Sequence, residues 1–199
     1  MSRVFSYVVA SDTGFAPNPF HGFLTLACCK PLIRRQGSVG DIVVGLSSRS
    51  ARVVYAARVE HVISFEEFWA DPRYESRRPV PTSARVVDRT GDNIYEPLDG
   101  AFRQLHSAHS HADGTENSSS KQHDLGGQQV LVCDRFAYWG GTGPSLPEEV
   151  GFLAVGRGHR SRFSDDQIAA VARWFSNQPQ GVLGPPTRWK VGDESWRQA

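Results

Sequence analysis

Residues 42–46 read Ile-Val-Val-Gly-Leu, and residues 52–63 read Arg-Val-Val-Tyr-Ala-Ala-Arg-Val-Glu-His-Val-Ile. β-Branched and aromatic residues dominate both runs, and such residues favour extended strands. A polar turn at residues 47–50 separates the two runs. Two strands joined by a short polar turn form a hairpin, so we expect a β-hairpin here, and the fold class follows from what surrounds it.

Further strand-like runs surround the hairpin, while few segments have helical character. Strands are predicted at residues 4–10, 84–88, 130–134 and 152–155, and residues 23–29 suit either a buried strand or the start of a helix. Two helices are predicted at capping boxes, one from Ser64 with Glu67 and one from Ser164 with Gln167. Strands do not alternate with long helices, which disfavours a doubly wound sheet. We therefore predict an α+β fold, a small mixed or antiparallel β-barrel with a few flanking helices.

The length of 199 residues suits one domain, so we expect a single domain over residues 1–199. Residues 107–128 are polar and low in complexity, and they predict an exposed loop. No apolar run is long enough for a membrane helix, and the three cysteines do not suggest a disulfide framework. We expect a cytoplasmic protein without a membrane partner. The formal net charge of +1 argues against binding duplex nucleic acid mainly through counterion release.

Residues 12–35 hold the densest group of reactive side chains, with an acid, an amide, two thiols and three cations. Either Cys28 or Cys29 is a candidate nucleophile, because nearby positive charge favours the reactive thiolate. The competing interpretation is a small buried hydrophobic residue, since free cysteines are often buried. His21 is a candidate partner base, although a single histidine in this position more often makes a structural hydrogen bond. The three neighbouring cations are Lys30, Arg34 and Arg35.

A histidine-rich tract raises the question of a zinc site. Its members and the possible ligands that follow are His106, His109, His111, Asp113, His123 and Cys133. Zinc sites in proteins require ligand spacings that allow tetrahedral coordination. The spacing here is irregular, the setting is low in complexity, and neither Cys-x-x-Cys nor His-Glu-x-x-His occurs. We therefore predict no metal ligands, and the sequence indicates no particular cofactor.

Two more stretches combine aromatic rings with polar or glycine neighbours. Residues 91–97 read Gly-Asp-Asn-Ile-Tyr-Glu-Pro, and residues 136–140 read Phe-Ala-Tyr-Trp-Gly. In a pocket, a carboxylate and an amide such as Asp92 and Asn93 can pair with the edge of a base while an aromatic ring stacks on its face. The competing interpretation is an ordinary turn in the first stretch and core packing in the second.

Taken together, these stretches resemble the bacterial and phage family called nucleotide modification associated domain, second type. The resemblance covers nearly the whole chain and is strongest in the block from the Asn-Pro-Phe loop to Cys-Cys-Lys-Pro. Its motifs are Asp12, residues 18–22, residues 25–31, Arg34, Gly40 with Asp41, residues 91–95 and residues 130–140. Cys133 stands where the family pattern leads us to expect a serine. Genomic context associates this family with the modification of bases in DNA.

A weaker likeness concerns the fold. The order of strands, an acidic and aromatic helix and the Asp-Pro-Arg-Tyr sequence at residues 71–74 resembles PUA-like barrels of the EVE and ASCH kind. Such domains bind modified or flipped bases in a pocket. This analogy at the level of the fold extends the prediction to a PUA-like barrel.

The resemblance implies two functions of different classes, both with a nucleobase, a nucleotide or DNA as the partner. The first is an enzyme of nucleotide or DNA-base modification that works beside other components of a modification system. The second is a non-catalytic reader of a modified base, and a structural partner without a site of its own is a third possibility. For the enzyme, Cys28 or Cys29 is the nucleophile, Asp12 or Asp92 transfers protons, and Lys30 or Arg34 holds a phosphate or an oxyanion. For the reader, Tyr95, Tyr138 or Trp139 stacks on the base and Asp92 or Asn93 pairs with its edge. The remaining predicted binding residues are Asn18, Phe20, Arg35 and Asp41.

Overall fold

The computed structural model describes residues 2–48, 52–156 and 158–198. Its largest sheet contains β1 (Val4–Val9), β3 (Ile42–Ser47), β4 (Val53–Arg58), β9 (Phe136–Tyr138), β10 (His159–Arg160) and β11 (Gly181–Val182). The spatial order of the strands is β10-β1-β3-β4-β9-β11. β1 runs parallel to β3 and β9 runs parallel to β11, while the other neighbours are antiparallel.

Two smaller sheets complete the strand content of the described residues. One contains β2 (Leu24–Leu26), β8 (Val130–Cys133) and β5 (His61–Ile63), with β8 in the middle and both pairings antiparallel. The other is the hairpin of β6 (Tyr95–Leu98) and β7 (Ala101–Gln104).

The helices are short, and none in the described part of the chain has the length and apolar character that crossing a membrane requires. They are α1 (Pro31–Gln36), α2 (Phe65–Ala70), α3 (Val86–Arg89), α4 (Ser118–Leu125) and α5 (Asp165–Ser176). Short 3-10 helices lie at Pro72–Arg77, Gly140–Thr142, Glu148–Leu153 and Ser195–Gln198.

The core forms layers because successive side chains of a strand face opposite sides of a sheet. One face of the six-stranded sheet, including Phe5 and Tyr55, packs against the β2-β8-β5 sheet and α1. Its other face packs against α5 and the 3-10 turn at Glu148–Leu153. The outer face of the small sheet, including Val132, packs against α2 and β6. The segment that follows β2 therefore lies at the boundary between two cores.

The structure confirms the mixed α+β class and several predicted elements. The hairpin forms between β3 and β4 in antiparallel register, although residues 49 and 50 of the predicted turn lie outside the described residues. The second predicted strand divides into β4 and β5, because the chain leaves one sheet at Arg58 and joins another at His61. Both predicted capping boxes are present, at the start of α2 and at the start of α5.

Two predicted strands are wrong. Residues 84–88 do not form a strand but run into α3, where Ser83 and Asp88 close one turn through a side-chain hydrogen bond of 2.7 Å. Residues 152–155 instead end a 3-10 turn, in which Val150 and Leu153 bury side chains spaced three residues apart. A short apolar run is compatible with either a strand or a helical turn. In both segments the buried side chains lie on a helical turn.

Two further predictions are the closed barrel and the exposed loop at residues 107–128. The described strands form separate sheets and no closed barrel, so the PUA-like barrel is not confirmed. Residues 107–128 include α4, whose N-cap is Asn117; the Asn117 side chain accepts a hydrogen bond from Ser120 N. Asp124 of this helix is completely buried. This segment is polar, but it contributes a buried charged residue to the fold.

Candidate functional site

A thiol, an imidazole and a carboxylate lie in line at the end of β2. Cys29 Sγ is 3.5 Å from His109 Nε2, and His109 Nδ1 is 2.6 Å from Asp124 Oδ2. In enzymes that use a cysteine nucleophile, a histidine moves the proton and an acid orients the histidine. The three residues come from distant parts of the sequence and meet in this geometry.

The backbone at Cys29 is bent sharply between β2 and α1. Cys29 has a φ of 57° and Lys30 has a φ of 42°, so two consecutive non-glycine residues lie in the left-handed region. Each such residue costs on the order of 1–3 kcal/mol, and strain of this kind is common at functional sites. Cys29 N donates to Asp124 Oδ1 over 2.7 Å, and Arg34 Nε donates to the Cys29 carbonyl over 2.8 Å. These two contacts hold the bend and present the thiol.

Arg34 connects the segments that carry the candidate nucleophile and the acid. Its side chain is completely buried and donates to the carbonyl oxygens of Cys29, Asp124 and Gln129. A guanidinium occupied in this way is a structural cross-link rather than a group that reaches a ligand. The predicted phosphate-binding role of Arg34 therefore has no support in its contacts.

Asp124 is surrounded by hydrogen-bond donors. Its Oδ2 accepts from His109 Nδ1 and from the Tyr95 hydroxyl at 2.7 Å, and its Oδ1 accepts from Cys29 N. Burial opposes ionisation of this carboxyl, but the hydrogen bonds and the charge of His109 outweigh burial and lower its pKa. Asp124 is therefore a carboxylate at neutral pH.

The protonation of His109 follows from the same contacts. Burial disfavours the charged ring, yet the hydrogen bonds with Asp124 and Cys29 outweigh burial and raise the pKa of His109 to about 10. The ring also packs edge-on against Phe15 at a centroid distance of 4.7 Å, which fixes its plane. At neutral pH His109 is an imidazolium, and an imidazolium favours the nucleophilic thiolate form of an adjacent cysteine.

A cavity of about 580 Å³ opens onto the partly exposed Cys29. This volume lies in the range of small-molecule sites. Its walls are mainly apolar and include the rings of Tyr7 and Phe15, while Cys29, Lys30 and His109 supply polar groups. A small planar ligand has room to approach the thiol from this side.

The same region contains the side chains that could hold a metal ion. Ligand atoms of Cys28, His109 and Asp124 lie within 4.8 Å of one another. The Cys28 thiol, however, lies 3.7 Å from the Asp92 carbonyl oxygen, and burial raises its pKa well above the ordinary value, which disfavours the thiolate that a metal needs. The Asp124 oxygens already accept three hydrogen bonds. The donor set therefore suits the thiol, imidazole and carboxylate arrangement better than a metal centre.

Several predicted site residues lie elsewhere. Asp12 lines a second cavity of about 560 Å³, and its carboxylate accepts hydrogen bonds from the Tyr138 hydroxyl and from Thr187 N. Asp92 is buried in an ion pair with Arg77 at 3.3 Å. Burial raises the pKa of Asp92, and Arg77 opposes that shift. The contacts of both acids are those of structural groups away from the Cys29 thiol.

The predicted stacking and edge-reading residues are also engaged inside the protein. The Tyr95 and Tyr138 rings are buried with their hydroxyls on carboxylates, and Trp139 packs in the core at 6.5 Å from Trp174. Asn93 Nδ2 donates to the carbonyl oxygen of Phe68. Among the remaining members, Asn18 Oδ1 accepts from Phe20 N, Phe20 stacks on Trp189, and Asp41 pairs with Arg3. Arg35 is exposed, donates to the Gly126 carbonyl, and is not among the residues that line the cavity at Cys29.

The sequence suggested Cys29 as a candidate nucleophile but did not indicate that His109 and Asp124 would lie beside it. Of the predicted residues, Cys29, Lys30, Arg34 and Tyr95 lie in or directly behind the site, and Cys28 lies beside it. His109 was considered only as one member of a possible zinc tract, and Asp124 had no signal because it lies in a polar segment. His21, the histidine suggested as the base, lies outside the set that lines the cavity.

The structure is that of an α+β protein in which a cysteine with a positive φ lies beside a histidine and a buried carboxylate. The sequence profile of the family described as "Nucleotide modification associated domain 2" matches residues 1–193. The chain therefore belongs to this family. The search of curated proteins found no match, and neither did the search of solved structures.

Proposed function

We propose that the protein is an enzyme that modifies a nucleobase or nucleotide by nucleophilic catalysis, with Cys29 as the nucleophile. The observation that carries this proposal is the alignment of Cys29 Sγ, the His109 ring and Asp124 Oδ2, at 3.5 Å and 2.6 Å. The description of the family to which the chain belongs, which associates it with nucleotide modification, supports a base or nucleotide as the substrate. The cavity beside the thiol supplies the space for a base.

Each residue has a distinct role in this chemistry. The Cys29 thiolate forms a bond from sulfur to an electrophilic carbon of the substrate, and the electron pair displaced from that carbon moves to the neighbouring substrate atom. His109 Nε2 then gives its proton to that atom as a general acid. Asp124 stabilises the imidazolium and fixes which ring nitrogen faces the thiol. The protonated atom departs as the leaving group, and water then attacks the same carbon. The water returns a proton to His109 and breaks the sulfur–carbon bond, which frees the Cys29 thiolate and leaves a hydroxyl in place of the leaving group.

The alternative function, a non-catalytic reader in a PUA-like pocket, has weaker support. A reader needs an accessible aromatic platform and a base-pairing edge. The rings and polar groups suggested for this purpose are buried and already bonded. A reader also has no need for a thiol beside an imidazolium, whereas an enzyme does.

Chemical labelling tests the nucleophile without knowledge of the substrate. The full chain is treated with iodoacetamide at pH 6 and 7, and the labelled cysteine and its rate are followed by mass spectrometry. We expect Cys29 to react faster than a free cysteine, because the His109 imidazolium lies 3.5 Å from its sulfur. H109A should lose this advantage, while the buried Cys133 should stay unlabelled and C133A should behave like the wild type.

Base composition tests the function itself. DNA and nucleotide pools from cells that express the wild type, C29S or C133A are digested to nucleosides and compared by mass spectrometry. The proposal expects a modified nucleoside with the wild type and C133A and none with C29S. Modification that persists in C29S, or labelling at Cys29 that does not respond to H109A, would contradict a Cys29 nucleophile.

A further inference from the structure

The walls of the cavity at Cys29 carry an uneven distribution of charge. Among the described residues that line it, no side chain is acidic. The polar side chains on its walls include Lys30, His123 and His159 in addition to His109. Asp124 lies behind the His109 ring, fully buried, and its charge is compensated by its donors. A ligand in the cavity therefore meets cationic and hydrogen-bond-donating groups.

Lys30 is the clearest of these groups because it is a half-buried cation. Burial lowers the pKa of Lys30, and the neighbouring Cys29 opposes that shift. Its ammonium lies 4.6 Å from the centre of the Tyr7 ring and 3.4 Å from the Val8 carbonyl oxygen. No carboxylate in the described part of the chain forms an ion pair with it. A lysine ammonium has three donors, so donor capacity remains beyond the contact with the Val8 carbonyl.

The position of Lys30 is fixed by the same bend that presents the thiol. Lys30 directly follows Cys29, and both residues have a positive φ. Pro31 then begins α1 and stiffens the exit from the bend. The bend fixes the Lys30 backbone next to Cys29, and the contacts with the Tyr7 ring and the Val8 carbonyl place the ammonium.

We infer that the substrate of this cavity carries a phosphate group that Lys30 binds, so that it is a nucleotide unit and not a free base or nucleoside. The base occupies the apolar part of the cavity that Val9, Pro31 and the exposed Leu32 line, and His159 lines the same cavity. The inference rests on the proposed function and names its substrate class. The phosphate can belong to a free nucleotide or to a phosphodiester strand, because the two present the same anionic oxygens.

Calorimetric titration of the full chain separates these cases. The probes are the four 2′-deoxynucleoside 5′-monophosphates, the four corresponding nucleosides, a mixed-sequence single-stranded pentanucleotide and inorganic phosphate. We expect at least one phosphate-bearing probe to bind about ten- to a hundredfold more tightly than its nucleoside, in proportion to one charge-assisted contact. Preference for the monophosphate indicates a free nucleotide, and preference for the pentanucleotide indicates a strand.

Variants assign the effect to Lys30. K30M should remove the preference for phosphate, and K30R should keep most of it, which also shows that the bend tolerates substitution. The exposed Lys190 provides the matched control, so K190M should leave all affinities unchanged. Equal affinity for nucleosides and nucleotides, a preference that survives in K30M, or no binding of any probe would overturn the inference.

The inference and the proposed function fail in different experiments. Binding is measured without turnover, so a phosphate preference that depends on Lys30 in a protein whose C29S variant still modifies bases would sustain the inference and refute the nucleophile. Conversely, a Cys29-dependent reaction on free nucleosides would sustain the nucleophile and refute the phosphate contact.

Discussion

Replacement of Asp124 by asparagine tests the carboxylate on which the site depends. The two oxygens of Asp124 accept hydrogen bonds from His109, Tyr95 and Cys29 N. Asparagine keeps one oxygen and brings an NH₂ group that faces either the Cys29 amide or the His109 and Tyr95 pair, all of which are donors. At least one donor therefore loses its partner, and His109 loses its counter-charge.

The expected loss of stability follows from these contacts. Removing one member of a buried, hydrogen-bonded charge pair costs about 3–5 kcal/mol. Asp134 provides a matched control, because its pair with His61 at 3.5 Å is nearly half exposed, and such pairs contribute about 0–1 kcal/mol. Urea unfolding at pH 6.5 measures both variants against the wild type.

Titration of His109 by NMR gives a second, independent measure. The wild-type ring should titrate with a pKa of about 10, and in D124N its pKa should fall towards the ordinary value because burial is no longer opposed by the carboxylate. If D124N is no less stable than D134N, or if the pKa of His109 is unchanged, the carboxylate does not stabilise the imidazolium and the reasoning fails.

Three further predictions concern the surroundings of the site. R77M should destabilise the protein by about 3–5 kcal/mol, because it strands the buried Asp92 carboxylate, while the rate of thiol labelling, measured on the folded variant, stays unchanged. Y95F should cost about 1–3 kcal/mol in urea unfolding, because it removes one donor from the Asp124 carboxylate. The raised pKa of His109 contributes stability that is fully present below pH 6.5 and is lost as pH rises towards about 10. Unfolding free energies at pH 6.5 and 10 should therefore differ more in the wild type than in H109Q, and equal differences would contradict the assignment.

The sequence predicted those parts of the structure that depend on neighbouring residues. The hairpin of β3 and β4 and the capping boxes before α2 and α5 are local patterns, and they are confirmed. The run at residues 152–155 failed because its burial is decided by packing against α5. Periodicity over four residues carries too little information to separate a strand from a 3-10 turn.

The candidate site was predictable only in part for the same physical reason. The thiol and its neighbouring lysine lie in one segment, so their chemistry could be recognised together. His109 and Asp124 are 80 and 95 residues away from Cys29, and only the fold brings them to it. Their polar, low-complexity setting indicated an exposed loop, whereas the buried contacts of Asp124 tie α4 to the strained bend.

Arg34 keeps the segment with Cys29 and the segment with Asp124 in a fixed relative position. A fully buried guanidinium is costly, and no carboxylate within the described residues forms an ion pair with it, so its stabilisation rests on carbonyl oxygens from three segments. The guanidinium of Arg34 is tightly enclosed, since a Cβ on Gly127 would lie 2.3 Å from its central carbon. Because one rigid group binds the carbonyls of both Cys29 and Asp124, a change in the position of α4 would move the thiol and the acid together. The family motif around Arg34 is therefore better explained by the construction of the site than by direct contact with a phosphate.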